Sequence, residues 1–355
     1  MPIAQTYYAK RAQERTEKLR QLLTELPKSC EVYFRGIEPT TSPLTRLSYA
    51  YDLRLFFHYL TSGAVPEFSG KTPQEMDYSD LNRITALMLE RFLEYLSYYQ
   101  SDGKEYINDN AGKARKISTL KSFFKYLYRK ELIAENVAER VEMPKLHEKP
   151  IIRLEPDEVA RMLDAVDSGA ILTKTQQRYH KYTRTRDIAI FTLLLGTGIR
   201  ISELVGLDVN SIDFRVNSFI VTRKGGAQVQ LYFGEEVEHA LANYMEEREK
   251  IIPQPGSEQA LFLSLQKKRM SQRAIQQLVK KYAQVITPLK KISPHKFRST
   301  FGTMLNYETG DIYLVADVLG NKDVNTTRKH YAALSDDRRR QAATKIRLRD
   351  EDSQN

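Results

Sequence analysis

The sequence is short of several things, and each shortage removes a class of protein. One cysteine, Cys30, among 355 residues cannot close an internal disulfide, so a disulfide-stapled scaffold is excluded. No apolar run approaches the ~20 residues needed to span a bilayer, and the opening "MPIAQTYYAKRAQERTEKLR" is too polar for a signal peptide. The expectation is a soluble, cytoplasmic protein with no membrane partner. No internal repeat and no low-complexity tract interrupts the chain. Acidic residues are also in deficit, with 45 Asp and Glu against 55 Lys and Arg, a net charge of +10. A basic chain favours a polyanionic partner, nucleic acid ahead of an acidic membrane surface.

What is there is mostly helical pattern. At the usual ~100 to 200 residues per domain, the length predicts two domains, each able to bury a core. From Ala9 to about Leu26 the chain is rich in Lys, Arg, Glu and Leu and predicts one amphipathic helix. In "SPLTRLSYAYDLRLFFHYL", Leu47, Tyr51, Leu55 and Tyr59 recur every four residues beside Phe56 and Leu60 and predict a second. "TSGAVPEFSGKTPQEMDYSD" reads as a loop, Leu87, Phe92 and Leu96 mark a further helix, and "KARKISTLKSFFKYLYRKELI" puts Ile117, Leu120, Phe124 and Leu127 on one stripe. Nothing in this part alternates like a strand for long, so residues 1–145 are expected to form an all-helical N-terminal domain.

Prolines 144, 150 and 156 make residues 146–156 the expected linker. Beyond it, over residues 157–355, the pattern is mixed. "RDIAIFTLLLGTGIRISELVGL" predicts a buried helix, a glycine-bearing turn and a second helix, and "SFIVTRKGGAQVQLYF" predicts a hairpin around Gly225 and Gly226. The fold class is therefore mainly α with a small β-sheet.

In the second domain Arg200, Lys224, His295, Arg298 and Tyr331 stand out as polar residues in turn-marked contexts. Singly, each has an ordinary structural reading. Arg200 would pair with Glu203, Lys224 would be a solvated turn lysine, His295 a helix-start residue bonded to backbone, and Tyr331 a half-buried aromatic. Together they suit metal-free phosphoryl transfer to tyrosine. Charge spreads over the nonbridging oxygens in such a transfer, and planar, permanently charged guanidinium groups match that geometry. Arg200 and Arg298 are the candidate clamp. A phenol of ordinary pKa near ~10 is a weak nucleophile at neutral pH without nearby positive charge and a proton acceptor, a task within the range of His295. The 5′ oxygen leaves poorly unless protonated, and Lys224 on its hairpin suits a general acid.

These segments resemble the tyrosine recombinases, the phage integrase family. "GTGIRISELVGL" is similar to the family's first arginine box, "TRKGG" to its hairpin lysine, "SPHKFRSTFGTML" to its histidine and second-arginine box, and "VADVLGNKDVNTTRKHYAAL" to the box that ends in the nucleophile. "STLKSFFKYLYRKELIAENVAERVEMPK" resembles the core-binding domain and its junction. Carried over by position, Arg200, Lys224, His295 and Arg298 are the activating residues and Tyr331 the nucleophile. The three-residue spacing sets His295 and Arg298 on one helical face.

The resemblance implies a site-specific recombinase that cuts and rejoins DNA through a 3′-phosphotyrosyl bond. The ester keeps the energy of the cut bond, so no ATP, metal or other cofactor is implied. It also implies an N-terminal core-type DNA-binding domain and a mixed α/β catalytic domain closing as a clamp on duplex DNA. The implied assembly is a homotetramer on two paired sites, each with inverted half-sites. Without a strand-rich arm-binding module before the core-binding region, and with a helical extension over about 1–40 ahead of it, the chain looks Xer-like, a chromosome-dimer resolvase acting alone, with a DNA translocase of the division apparatus as the implied accessory partner. A mobile-element integrase, a type IB topoisomerase and a DNA-binding protein without catalysis are the alternatives. On the basic helix, Lys113, Ser118, Lys121, Ser122 and Lys125 are the expected phosphate and groove contacts.

Two departures from the family pattern stand out. Asn321 in "LGNKD" occupies the place of the usual histidine or tryptophan, so a neutral amide, or His330 beside the nucleophile, would have to supply that hydrogen bond. "SGAILTKTQQRYHKYT" is longer than expected before the first arginine box and reads as a surface insertion touching DNA.

Overall fold

Residues 7–101, 103–146, 151–223, 226–321 and 324–325 are described by the structure, a computed structural model of the chain. It divides into two compact units, Met1–Lys149 and Pro150–Asn355.

In the first unit Pro27 sets the early boundaries. Helix α1 (Tyr7–Leu23) stops short of it and α2 (Lys28–Ile37) starts after it, so the expected helix to Leu26 ends a turn sooner. Helix α3 (Pro43–Tyr59) begins where Ser42 Oγ accepts from the Thr45 amide at 3.2 Å with Pro43 in the first turn. The expected stripe is buried at Phe56, Tyr59 and Leu60 and half-buried at Leu47 and Leu55, but it fails at Tyr51. Ala50, Leu53, Phe56 and Phe57 are inside, whereas Tyr51 is 37% exposed. A strict four-residue repeat advances about 40° per step around a 3.6-residue helix and drifts off the face.

The stretch expected to be a loop ends inside helix α4 (Tyr78–Arg83), which is started by Asp77, whose Oδ1 accepts from the amides of Ser79 and Asp80 at 2.8 and 3.0 Å. Helix α5 (Ala86–Tyr95) buries Leu89 and Phe92, with Leu87 left outside.

One correction to the all-helical expectation follows. Strands β1 (Tyr99–Ser101) and β2 (Lys104–Tyr106) pair antiparallel with Tyr99 opposite Tyr106, their rings stacked at 5.1 Å. Three-residue arms are too short to show alternation in a sequence. Helix α6 (Asn110–Arg129) then lays Ile117, Leu120, Phe123, Phe124 and Leu127 into the core. Phe123 meets Tyr33 and Phe57 edge-on at 5.3 and 6.0 Å, an arrangement that suits the aromatic quadrupole. Asp52 of α3, 3% exposed, is held by Arg115 and by the Thr119 hydroxyl at 2.9 Å.

The second unit opens with Leu154, buried, its amide donating to Thr300 Oγ1 at 2.9 Å. Helix α7 (Pro156–Ser168) follows. Helix α8 (Lys174–His180) forms the middle of the insertion, tied back by His180 Nε2 at 2.8 Å from Val166 O, with Tyr179 and Tyr182 exposed. Helix α9 (Arg184–Thr197) is apolar nearly all round and is the hub. Its Phe191 packs edge-on against Tyr282 and Phe297 at 5.5 and 5.4 Å.

Helix α10 (Ile201–Gly206) leads to the antiparallel sheet β3 (Ile212–Asp213), β4 (Ser218–Thr222) and β5 (Gln228–Tyr232). Helices α11 (Glu235–Glu249), α12 (Gln272–Ile286), α13 (Pro294–Thr309) and α14 (Ile312–Leu319) complete the described part of the unit. The chain is mainly helical with small sheets, and no helix among the described residues is long and apolar enough to cross a membrane.

Candidate active site

The site is built around one helix end. The last four carbonyls of an α-helix lack intrahelical partners, and the helix dipole places partial negative charge there. At the end of α14 the chain turns through Gly320 in the left-handed region, φ 62°. The Gly320 amide returns to Asp317 O at 2.8 Å and the Asn321 amide to Ala316 O at 2.9 Å. The next carbonyls go to arginines from three different elements. Arg223, after β4, donates to Val318 O at 3.0 Å. Arg298 of α13 donates to Leu319 O. Arg200, before α10, donates to Gly320 O at 3.2 Å.

Two of these are fixed again from behind. Arg298, 7% exposed, sends Nη1 to Gly198 O at 2.6 Å. Gly198 caps α9 at φ 59°, where a Cβ would stand 2.5 Å from Phe301, so only glycine turns α9 into the arginine-bearing loop. Arg200 and Glu203 are linked twice: the Arg200 amide donates to Oε2 at 3.0 Å and Nη1 to Oε1 at 2.9 Å. The ordinary reading of Arg200 is thus observed, and it orients the guanidinium rather than replacing a functional role. With its side chain 36% exposed, Arg200 is the open member of the pair.

Asn321 joins the group. Its Oδ1 accepts a long bond from Arg298 Nη2, 3.5 Å, which assigns the amide nitrogen as its donor. His295 lies one turn before Arg298 on α13; it is exposed where Arg298 is buried, so the shared face carries them at different depths. Lys224, His330 and Tyr331 lie outside the described residues.

The basic helix α6 divides its expected contacts. Ser118 and Lys125 are exposed, and Lys121 is half-buried. Lys113 donates to Ser97 Oγ at 2.6 Å. Ser122 is turned inward, its hydroxyl 2.7 Å from Tyr33 Oη. Burial pushes the Tyr33 phenol well above its ordinary range, and the Ser122 hydrogen bond opposes part of that shift.

Sequence reasoning does not single out Arg223 as a site residue. It sits inside the quoted "TRKGG", but only the fold shows where its side chain goes.

Residues 153–338 match the phage integrase family, and residues 33–131 match the phage integrase N-terminal SAM-like domain. A tyrosine recombinase XerC of Caldanaerobacter subterraneus subsp. tengcongensis is 33% identical over 326 residues, covering 90% of this chain and 86% of the relative. A XerC of Oceanobacillus iheyensis is 28% identical over 316 residues, 88% of this chain and 93% of the relative. Among solved structures, XerH bound to its difH substrate in a pre-cleavage complex matches with a TM-score of 0.63 at 20% identity, over 97% of this chain and 91% of that one. A lambda integrase tetramer on a Holliday junction matches at 0.56 and 16% identity, over 85% and 77%; at such identities the likeness is one of fold. The chain belongs to the phage integrase family and is a Xer-like site-specific tyrosine recombinase, an enzyme that breaks and rejoins DNA strands.

Proposed function

We propose that this recombinase resolves chromosome dimers, with Tyr331 as nucleophile and Arg200, Lys224, His295, Arg298 and Asn321 as the groups that activate one phosphate. The convergence of Arg200 and Arg298 on the α14 terminus is the observation that carries the reading, because two guanidinium groups from distant sequence positions meet beside the segment that leads to Tyr331.

The Tyr331 phenolic oxygen attacks the phosphorus and gives its proton to His295. The bond from phosphorus to the 5′ oxygen breaks, and that oxygen takes a proton from Lys224. Arg200 and Arg298 hold the nonbridging oxygens as charge builds on them, assisted by one donor from the Asn321 amide. The product is a 3′-phosphotyrosyl ester and a free 5′-hydroxyl; attack by the 5′-hydroxyl of a partner strand reverses the sequence and returns the proton to Tyr331. One ester replaces another, so the balance needs neither ATP nor a further co-reactant.

The substrate under this reading is duplex DNA with inverted half-sites, two such sites being paired by a homotetramer; lambda integrase, of like fold, is a tetramer when bound to a Holliday junction. Residues 1–145 are proposed as the core-type DNA-binding domain, joined by residues 146–156 to the catalytic domain, residues 157–355. The exposed cations of α6 lie along the phosphates. A translocase of the division apparatus is the proposed accessory partner, and the cytoplasm the proposed location.

Trapping the covalent adduct in cells tests both levels. Tyr331→Phe removes only the hydroxyl, so DNA binding should persist while the adduct disappears from a denaturing gel; an undiminished adduct overturns the nucleophile. Sequencing the DNA trapped on the unaltered protein should return one chromosomal locus with inverted half-sites. Recovery of mobile-element ends would make the chain an integrase instead, and scattered sites a topoisomerase.

A further inference from the structure

Arg223 is the one arginine of the α14 cluster that the proposed reaction does not use, and its surroundings point to a task. Its backbone closes the tip of the β4–β5 hairpin: the Arg223 amide donates to Ala227 O at 2.8 Å, and its carbonyl accepts from the Gly226 amide at 3.0 Å. Lys224 follows it directly in the chain. The Arg223 side chain leaves the hairpin and reaches Val318 O of α14, 3.0 Å away. The approach is tight, since a Cβ at Gly320 would lie 1.7 Å from Arg223 Nη1, so the α14 turn is shaped around this guanidinium.

The Arg223 Nε is buried without a hydrogen-bond partner among the described residues. Buried donors are rarely left unsatisfied, and one that is requires a reason.

We propose that Arg223 is a positioning residue for Lys224, a latch that fixes the root of the lysine hairpin to the α14 terminus, where Arg200 and Arg298 are also anchored. The inference rests on the reading of Lys224 as general acid. A lysine side chain has four rotatable bonds, so the reach of its ammonium group depends on how firmly the preceding backbone is anchored. Anchoring the residue before it to the same helix end that organises the clamp sets the distance from the ammonium group to the leaving oxygen. Misplacing a catalytic group by about 1 Å costs on the order of 100-fold. The Arg223 guanidinium itself touches backbone, not phosphate, and acts through its neighbour.

The test compares cleavage of an ordinary phosphodiester with cleavage of the same DNA carrying a bridging sulfur at the 5′ position, a leaving group that needs no proton. Full-length Arg223→Ala, Lys224→Ala and Arg298→Ala are measured in single-turnover reactions at saturating protein. On the ordinary substrate Arg223→Ala is expected to slow cleavage by roughly 10- to 100-fold. On the sulfur substrate Arg223→Ala and Lys224→Ala should both return close to the wild-type rate, while Arg298→Ala stays slow.

A purely structural Arg223 would leave Arg223→Ala equally impaired on both substrates, and that result with Lys224→Ala rescued overturns the positioning role alone. Failure of the sulfur to rescue Lys224→Ala would overturn the general-acid reading first and this inference with it. Should Arg223→Ala not fold, Arg223→Lys supports the same comparison, because its single ammonium keeps the charge but not the reach. Partial loss on oxygen and recovery on sulfur is then expected, and equal loss on both overturns the proposal.

Discussion

On α6 of the first unit, the cationic side chains Lys121, Lys125 and Arg129 lie partly or fully outside a helix whose inner face is phenylalanine and leucine. In the second unit the pattern is reversed, and Arg298 is buried with both guanidinium ends committed to backbone carbonyls. The same charge does different physical work in the two places. Exposed cations contribute a long-range attraction that salt weakens and that neighbouring cations partly replace. A buried guanidinium acts through fixed geometry, and no neighbour can stand in for it. Under the proposed function, the first unit supplies affinity and the second accurate placement of charge.

The sharpest way to break this contrast is Arg298→Ala. It strands the Gly198 and Leu319 carbonyls, each costing about 1 to 3 kcal/mol where no water enters. It also removes a clamp donor whose absence should slow cleavage by roughly 1,000-fold or more. The expected outcome is a lowered Tm together with near-abolished single-turnover cleavage and DNA binding only modestly weakened. A variant that folds normally and cleaves near the wild-type rate would put Arg298 in the class of the surface lysines.

The difference also explains which features are legible in the sequence. The hub helix α9 and the β4–β5 hairpin are visible in their residues because continuous apolarity and a glycine-centred β-branched pattern are local signals. The α3 face misleads because an every-four pattern mimics a helical stripe over one or two turns and then precesses, leaving Tyr51 outside. Helix α4 is hidden among Gly, Pro and Ser because its start depends on Asp77 capping rather than on any apolar period. In the site, the spacing of Arg200, His295 and Arg298 fits a known family order, whereas the carbonyl anchors do not show in sequence at all. Val318, Leu319 and Gly320 accept through backbone atoms common to every residue type, so nothing in their side chains announces the partners. Arg223 escapes sequence reasoning for that reason. Ser122 reads as outward because a serine on a basic helix carries no sign of the Tyr33 hydroxyl beneath it.

A smaller effect is expected at Asn321, where a neutral amide stands beside the buried arginine. Loss of one hydrogen bond to a charged group, about 1.5 to 3 kcal/mol, should make Asn321→Ala slower by roughly 10- to 100-fold, with Asn321→His tolerated. If His330 supplies the donor instead, His330→Ala will be the damaging change and Asn321→Ala nearly silent. Wild-type rates for both alanine variants would mean that the site works without a donor at either position.

The smallest effect on chemistry should come from the first unit. Replacing Lys121 and Lys125 together with alanine removes two candidate phosphate partners and leaves the α6 core untouched, since the residues that fill it are Ile117, Leu120, Phe123, Phe124 and Leu127. Every phosphate left without its lysine should reduce the slope of log K against log salt by about 0.9, so the double variant should flatten it by roughly 2 while weakening binding to all sequences alike. Cleavage at saturating protein should remain close to normal, because neither lysine touches the reacting phosphate under the proposed arrangement. Binding titrations from low to moderate salt, paired with single-turnover cleavage, measure the two quantities separately. An unchanged salt slope would remove these lysines from the DNA face, and a large loss of cleavage at saturation would show that the first unit does more than attract the duplex.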